Sequence, residues 1–228
     1  MAVKSMSMSL RALSHLLTYP DAELRGHLGE LQQVLHVEGV LDKARLVALD
    51  ALVTRLLSED ALDCEAVYVD LFDRGRSTSL HLFEHVHGDS RDRGTAMVDL
   101  GKTYHEAGLC LAPGELPDYL PAVLEFVSTQ PTRRARAFLG EIAHILNAVH
   151  SALQQRGSHY AAVLAALLEL AGEKVHVVEV APEPDIDEAW QEPEAFDGCS
   201  TRGQARPDAP QPVHFVRDRA SHQIGAAK

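Results

Sequence analysis

Three side chains between residues 81 and 85 have the types and spacing of a catalytic zinc site. His81, Glu84 and His85 form the pattern H-x-x-E-H, in which two imidazoles share one helical face and a carboxylate polarises a water molecule. One alternative is therefore a zinc-dependent hydrolase. A catalytic zinc also needs a third protein ligand, usually far downstream, and the pattern identifies none. The same residues equally fit a polar, partly exposed helix whose histidines make local hydrogen bonds.

Apolar and acidic side chains around this stretch predict a different kind of site, a surface that binds a peptide. The apolar candidates are Tyr68, Leu71, Phe72 and Phe83, and the acidic candidates are Asp70, Asp73, Glu84 and Asp118. An apolar floor with an acidic rim suits an amphipathic basic peptide. Residue types alone leave open whether the apolar residues instead belong to the core and the acids to a solvated face.

Other motifs that would indicate an enzyme are missing from the sequence. It contains neither G-x-G-x-x-G nor G-x-x-x-x-G-K-[ST], so neither a dinucleotide fingerprint nor a phosphate loop is indicated. The three cysteines, Cys64, Cys110 and Cys199, lie far apart without a C-x-x-C pair. This spacing favours a reducing compartment over a disulfide framework or a zinc finger. We expect no bound cofactor or metal.

Composition predicts an all-α protein with an acidic surface. Leu and Ala dominate the 228 residues and aromatic residues are only 5%, which favours helices over sheets. The formal net charge of -12 argues against binding to nucleic acid or anionic membranes. Arg11 and His15 interrupt the apolar residues of the N-terminus, which predicts neither a secretory signal nor a membrane span. We therefore expect a cytoplasmic protein.

Helical spacing of apolar residues places the candidate site between two helices. Tyr68, Leu71 and Phe72 share one face of a helix that starts near Asp60. We expect Gly75 to end this helix in the left-handed conformation. Thr78 is then expected to cap a short helix that runs through His87. Asp118, near the start of a later helix, could cap that helix or face a groove.

The C-terminal part of the chain divides into a helical region and a tail. A continuous amphipathic pattern runs from Phe138 to Leu153, and a last helix is expected near 158–171. The segment from Lys174 to Val180 resembles a strand or an extended connector. We expect residues 1–180 to form a single helical domain. Residues 181–228, an acidic then basic segment with Pro and Gly, have the composition of a poorly ordered tail.

The stretch from Tyr68 to Leu100 also resembles the signature of the NarJ family, the nitrate reductase molybdenum cofactor assembly chaperones. The resemblance lies in the runs FDRGR, FEHVHG and RDRG, and in LLTYPDAEL and ELPDYLP elsewhere. It covers about residues 10–172. It implies a TorD-like, all-α domain and a non-catalytic role in nitrate respiration and nitrate assimilation. Such a chaperone binds unfolded protein, here the N-terminal segment of the apo catalytic (alpha) subunit, until the molybdenum cofactor is inserted and membrane attachment follows.

The resemblance also implies which residues form the peptide site. Two motifs carry over by position: Y-x-x-L-F onto Tyr68, Leu71 and Phe72, and an E-x-x-D-H type motif onto Glu115, Pro117 and Asp118. Tyr119 stands where many members of the wider superfamily have His. The complete set of expected peptide-binding residues is Tyr68, Asp70, Leu71, Phe72, Asp73, Phe83, Glu84, His87, Glu115, Pro117, Asp118 and Leu120.

The expected partner is the apo catalytic subunit of respiratory nitrate reductase, bound through its N-terminal peptide. Molybdenum cofactor biosynthesis proteins are further candidate partners. Neither nucleic acid nor insertion into a membrane is expected. Because histidines beside the groove titrate near neutral pH, protonation could tune release of the peptide.

Overall fold

The computed structural model describes residues 4–87, 90 and 92–179, and helices dominate this part of the chain. In chain order the helices are α1 Ser7–Leu16, α2 Ala22–Glu38, α3 Lys43–Ser58, α4 Ala61–Phe72, α5 Leu82–His87, α6 Asp92–Glu106, α7 Leu120–Thr129, α8 Thr132–Glu141, α9 Ala143–Gln155 and α10 Ala161–Ala171. Within these residues no strand forms, which confirms the all-α prediction. The predicted tail, 181–228, lies outside the described residues.

The core is built around α10, whose sequence AAVLAALLELA is apolar on almost every side. Nine of its eleven residues are buried, as expected for a helix without a polar face. Helices α3, α8 and α9 pack on it, while α1 packs against α7 and α2. Each fully buried leucine contributes about 1.5–3 kcal/mol relative to an exposed one. Across the described residues, no helix combines the length and apolarity that a membrane crossing requires.

Aspartates begin three consecutive helices and so fix the N-terminal half of the fold. Asp21, Asp42 and Asp60 are the N-caps of α2, α3 and α4, and each carboxylate accepts a hydrogen bond from a backbone N–H in the first turn. These bonds satisfy donors that have no partner within the helix. Gly39 ends α2 in the left-handed conformation, with φ +59°.

The turn after α4 differs from the prediction. Gly75 has no positive φ, and α4 already ends at Phe72. A Cβ at Gly75 would collide with the side chain of Thr78 and lie 2.6 Å from the Leu71 carbonyl oxygen, so glycine is needed for space rather than conformation. Thr78 does not cap α5. Its hydroxyl donates to the Leu71 carbonyl, and α5 starts four residues later.

The long amphipathic pattern forms two helices instead of one. Helix α8 ends at Glu141 and α9 starts at Ala143, with Ile142 between them at φ -93° and ψ 4°. Both helices bury their apolar faces, so the pattern continues through the turn. Residues 173–179 form neither helix nor strand. Side chains of α9 bind this segment instead: His176 N donates to Asn147 Oδ1 at 2.7 Å.

Candidate functional site

An open cavity of about 450 Å³ lies where the end of α4 meets the turn after α1 and two loops. Its lining residues are Tyr19, Tyr68, Phe72, Asp73, Leu80, His81, Gly114, Glu115, Leu116 and Tyr119. We call it the aromatic cavity. Its volume is within the usual range for ligand pockets in proteins, about 300–1,000 Å³.

Tyr68 is the centre of the aromatic wall. Its ring lies 4.8 Å from Phe72 and 5.6 Å, edge-on, from Tyr19. Its hydroxyl donates to the Leu17 carbonyl at 2.8 Å and lies 3.2 Å from the Tyr119 hydroxyl. Burial raises the pKa of the Tyr68 phenol far above its usual value, so it remains a neutral donor. These contacts fix the wall before any ligand arrives.

The two loops are joined by a short antiparallel pairing between residues 80–82 and 118–120. His81 and Tyr119 form the bridge. Leu120 N donates to the Leu80 carbonyl at 2.8 Å, and Leu82 N donates to the Asp118 carbonyl at 3.0 Å. The His81 and Tyr119 rings lie 5.4 Å apart. This pairing places His81 and Tyr119, which are 38 positions apart in sequence, on one edge of the cavity.

Asp118 stabilises this pairing from behind. Its carboxylate is fully buried and accepts a hydrogen bond from Phe83 N at 3.1 Å. It also lies 3.3 Å from His81 Nδ1 and 3.8 Å from Arg93 Nη2. The hydrogen bond to Asp118 raises the pKa of His81, although partial burial of the imidazole opposes the shift. Asp118 neither caps α7, whose N-cap is Tyr119, nor faces the cavity.

The H-x-x-E-H residues do not converge on a common point. His81 precedes α5 and faces Asp118, so it does not share a helical face with His85. His85 Nε2 lies 2.9 Å from the Ser79 carbonyl oxygen. Glu84 accepts from Ser79 Oγ at 2.6 Å and pairs with Arg93 at 3.2 Å. In the part of the chain that is described, no three His, Cys, Asp or Glu side chains could hold a metal ion. The zinc hydrolase alternative gains no support.

The expected peptide-binding residues fall into three groups. Those that line the aromatic cavity are Tyr68, Phe72, Asp73 and Glu115. Those buried behind it are Leu71, Pro117, Asp118 and Leu120. The remaining four have other contacts: Asp70 pairs with Arg156, Glu84 pairs with Arg93, and the Phe83 and His87 rings pack edge-to-face. The acidic rim expected from Asp70, Glu84 and Asp118 is therefore not assembled at this cavity.

Sequence reasoning missed several of the residues that line the cavity. Tyr19 and Leu116 are each 43% exposed, and Leu80 and Tyr119 complete the wall. One signal was present. Tyr19 and Leu116 are large apolar residues that directly precede prolines, and both lie outside the helices. Their position in the cavity depends on the pairing of the two loops.

The bond between His81 and Asp118 predicts a direction for the pH dependence of stability. Because the folded pKa of His81 lies above its unfolded value of about 6.5, the bond contributes fully below that pH. Its contribution is lost as pH rises through the folded pKa. The stability difference between wild type and His81→Gln should therefore be largest near pH 6, at up to about 1 kcal/mol for a partly exposed pair, and shrink toward alkaline pH.

Denaturant unfolding of both proteins between about pH 5.5 and about pH 9 measures this difference. In an Asp118→Asn background, the same substitution of His81 should produce a difference that is nearly flat with pH. A difference that grows as pH rises would contradict the assignment of the His81 pKa shift to Asp118.

Comparisons with known proteins place the chain in a family. Residues 19–166 match the family model described as nitrate reductase delta subunit. The nitrate reductase molybdenum cofactor assembly chaperone NarJ of Escherichia coli is 45% identical over 200 residues, 87% of this chain and 84% of that protein. A protein named as a probable assembly chaperone of the same kind, NarW of E. coli, is 37% identical over 93% of this chain and 85% of its own length.

A solved structure supports the fold. The crystal structure of a redox enzyme maturation protein from Archaeoglobus fulgidus superposes with a TM-score of 0.53, covering 76% of this chain and 98% of that chain at 19% identity. The expected TorD-like helical fold is thus confirmed. The relatives are named as assembly chaperones, which confirms the expectation of a protein that is not an enzyme. The match over residues 19–166 and the identity to E. coli NarJ show that the chain belongs to the nitrate reductase delta subunit family, that of the molybdenum cofactor assembly chaperones.

Proposed function

We propose that this chain is a system-specific chaperone of respiratory nitrate reductase. It binds the N-terminal segment of the apo catalytic (alpha) subunit, and so supports molybdenum cofactor insertion and enzyme assembly before membrane attachment. The observation that carries the proposal is the open aromatic cavity in a chain of this family. The chaperone acts where the apoenzyme is made, in the cytoplasm, and proteins of molybdenum cofactor biosynthesis are its further partners.

The cavity suits anchor side chains of an apolar segment. Tyr68 and Phe72 form its floor, while the half-exposed Tyr19 and Leu116 form its upper walls. Burying apolar surface here contributes about 25 cal/mol per Å² before ordering costs are subtracted. Because hydrogen bonds and ring contacts already fix the aromatic wall, little entropy is lost on the chaperone side. A peptide that forms an amphipathic helix can present its apolar side chains to this floor.

Carboxylates at the edge of the cavity favour a basic segment. Asp73 and Glu115 both line it, and the whole chain carries a formal net charge of -12. Such charges raise the association rate and discriminate among partners more than they raise affinity. The other predicted members of the site, such as Leu71, Leu120 and Asp118, support the cavity from behind.

The proposal is tested in cells that lack this chain. The catalytic subunit should accumulate there with little molybdenum, because no chaperone holds the apo form for cofactor insertion. Molybdenum per purified catalytic subunit, measured by mass spectrometry, should return to its normal level when the wild-type chain is supplied. A catalytic subunit that is fully loaded with molybdenum in cells without the chain would contradict the proposal.

A further inference from the structure

A second groove adjoins the aromatic cavity on the other side of Tyr19. It has a volume of about 540 Å³ and lies between the end of α1 and the N-terminal half of α2. Leu24 and Leu31 form its apolar floor, and three carboxylates, of Asp21, Glu23 and Glu30, surround that floor. We call it the α2 groove.

Tyr19 stands between the two cavities and borders both. Its side chain lines both. The phenol donates to Glu65 Oε2 at 2.9 Å, and the ring stands edge-on to Tyr68 at 5.6 Å. Because the hydroxyl and the ring of Tyr19 both have partners, the side chain forms a fixed wall between the two cavities. A segment anchored in the aromatic cavity can therefore continue over Tyr19 into the α2 groove without a large rearrangement.

Within the described residues, the carboxylates of the α2 groove have no lysine or arginine partner. Among the described residues that line the groove, the basic side chains are His15 and His27, and none is a lysine or arginine. The arginine within this half of α2, Arg25, turns away from it and donates to the Glu59 carbonyl at 2.9 Å and to Cys64 Sγ. Throughout the described residues, the one ion pair of these carboxylates joins Glu30 to His27, and both side chains are mostly exposed.

Two of the acidic residues first expected to form the rim, Asp70 and Glu84, are ion-paired within the chain. Asp70 is paired with Arg156 at 2.9 Å and Glu84 with Arg93 at 3.2 Å. Each of these carboxylates already has a guanidinium partner. Negative charge that is open to a cationic ligand therefore lies at Asp73 and Glu115 of the aromatic cavity and on the α2 side of Tyr19.

We infer that the α2 groove binds the basic part of the same partner segment, a Lys- or Arg-bearing stretch beside the apolar part that occupies the aromatic cavity. This inference rests on the proposed function. Leu24, Leu31 and the Tyr19 ring take the aliphatic stems of the basic side chains, and the carboxylates bind their charged ends. A second copy of this chain does not fit, because its own net charge of -12 would repel the groove.

The test is a calorimetric titration of the full chain with two synthetic peptides. The first is the N-terminal segment of the nitrate reductase catalytic subunit from the same organism, and the second is the same sequence with each Lys and Arg replaced by Gln. The variant is Glu23→Gln with Glu30→Gln. The control, Glu173→Gln with Glu179→Gln, makes the same change in net charge at exposed positions far along the chain.

The α2 groove variant should bind the natural peptide about three- to tenfold more weakly than wild type, as expected for the loss of two exposed charge contacts. It should bind the neutral peptide within about twofold of wild type, since the apolar contacts remain. The control should stay within about twofold for both peptides. Raising the salt to about 1 M should remove most of the difference, because screening then acts over about 3 Å.

A second variant, Glu30→Gln alone, separates loss of binding from loss of helix stability. A carboxylate stabilises the first turn of a helix, and Glu30 lies outside the first turn of α2. The single variant should weaken binding of the natural peptide by about two- to threefold. The α2 groove assignment would be overturned if the double variant bound the natural peptide as tightly as wild type, or if the control lost as much affinity as the double variant. Either result would leave the proposed function standing. A wild-type chain that binds neither peptide would overturn the proposed function itself.

Discussion

Replacing Asp118 with alanine is expected to destabilise the folded chain by about 2–4 kcal/mol. The fully buried carboxylate is the acceptor for Phe83 N and the partner of His81, and it lies within ion-pair distance of Arg93. Alanine leaves Phe83 N and His81 Nδ1 without their acceptor at the back of the cavity. Guanidinium unfolding, followed by circular dichroism, measures the loss.

Asp118→Asn is the matched control for this prediction. The amide keeps the shape of the side chain and one oxygen that can accept from Phe83 N, so it should lose clearly less stability than alanine. Both variants remove the negative charge beside His81 and Arg93. A loss below about 1 kcal/mol for Asp118→Ala would show that the buried carboxylate does not hold the two loops together.

Leu116→Asn is expected to weaken binding of the N-terminal peptide of the catalytic subunit by about tenfold or more while the fold remains intact. Leu116 is 43% exposed and lines the aromatic cavity, so the unbound protein loses little packing when this side chain changes. In the complex the substitution removes an apolar contact and forces a polar amide into a dry interface, which together cost more than about 1.4 kcal/mol. Calorimetry with the natural peptide measures the change.

Leu62→Asn is the control for Leu116. Leu62 lies in the first turn of α4, is 73% exposed and lines none of the cavities described above. The same chemical change there should leave the dissociation constant within about twofold of wild type. Equal weakening by both substitutions would mean that the effect reflects general surface hydrophobicity rather than contact with the aromatic cavity.

The helices could be predicted because their signals are local. The helix expected to start near Asp60 is α4, whose N-cap is Asp60, and the i, i+3, i+4 spacing places Tyr68, Leu71 and Phe72 on one face. The turn at Ile142 was missed because the apolar stripe continues across it. A glycine just after a helix is typical of a left-handed C-cap, so residue type alone predicts one at Gly75; close contact with Leu71 and Thr78 is what requires glycine there.

The cavity could be predicted only in part, because pairing of distant loops creates it. Residue types indicated that Tyr68 and Phe72 could contact a ligand, and both line the cavity. No local pattern shows that residues 80–82 pair with 118–120, or that Asp118 lies behind that pairing instead of facing a ligand. Sequence does not show which acids are ion-paired either, since Arg93 and Arg156 reach Glu84 and Asp70 only in the folded chain.

One titration tests the central claim most directly. The wild-type chain is titrated in a calorimeter with the N-terminal peptide of the nitrate reductase catalytic subunit and, separately, with a scrambled peptide of the same composition. The natural peptide should give a saturable heat at one peptide per chain, with a negative heat-capacity change from burial of apolar surface. The scrambled peptide should give much weaker binding. No saturable heat at high micromolar natural peptide, or equal binding of both peptides, would contradict recognition of this segment by the aromatic cavity.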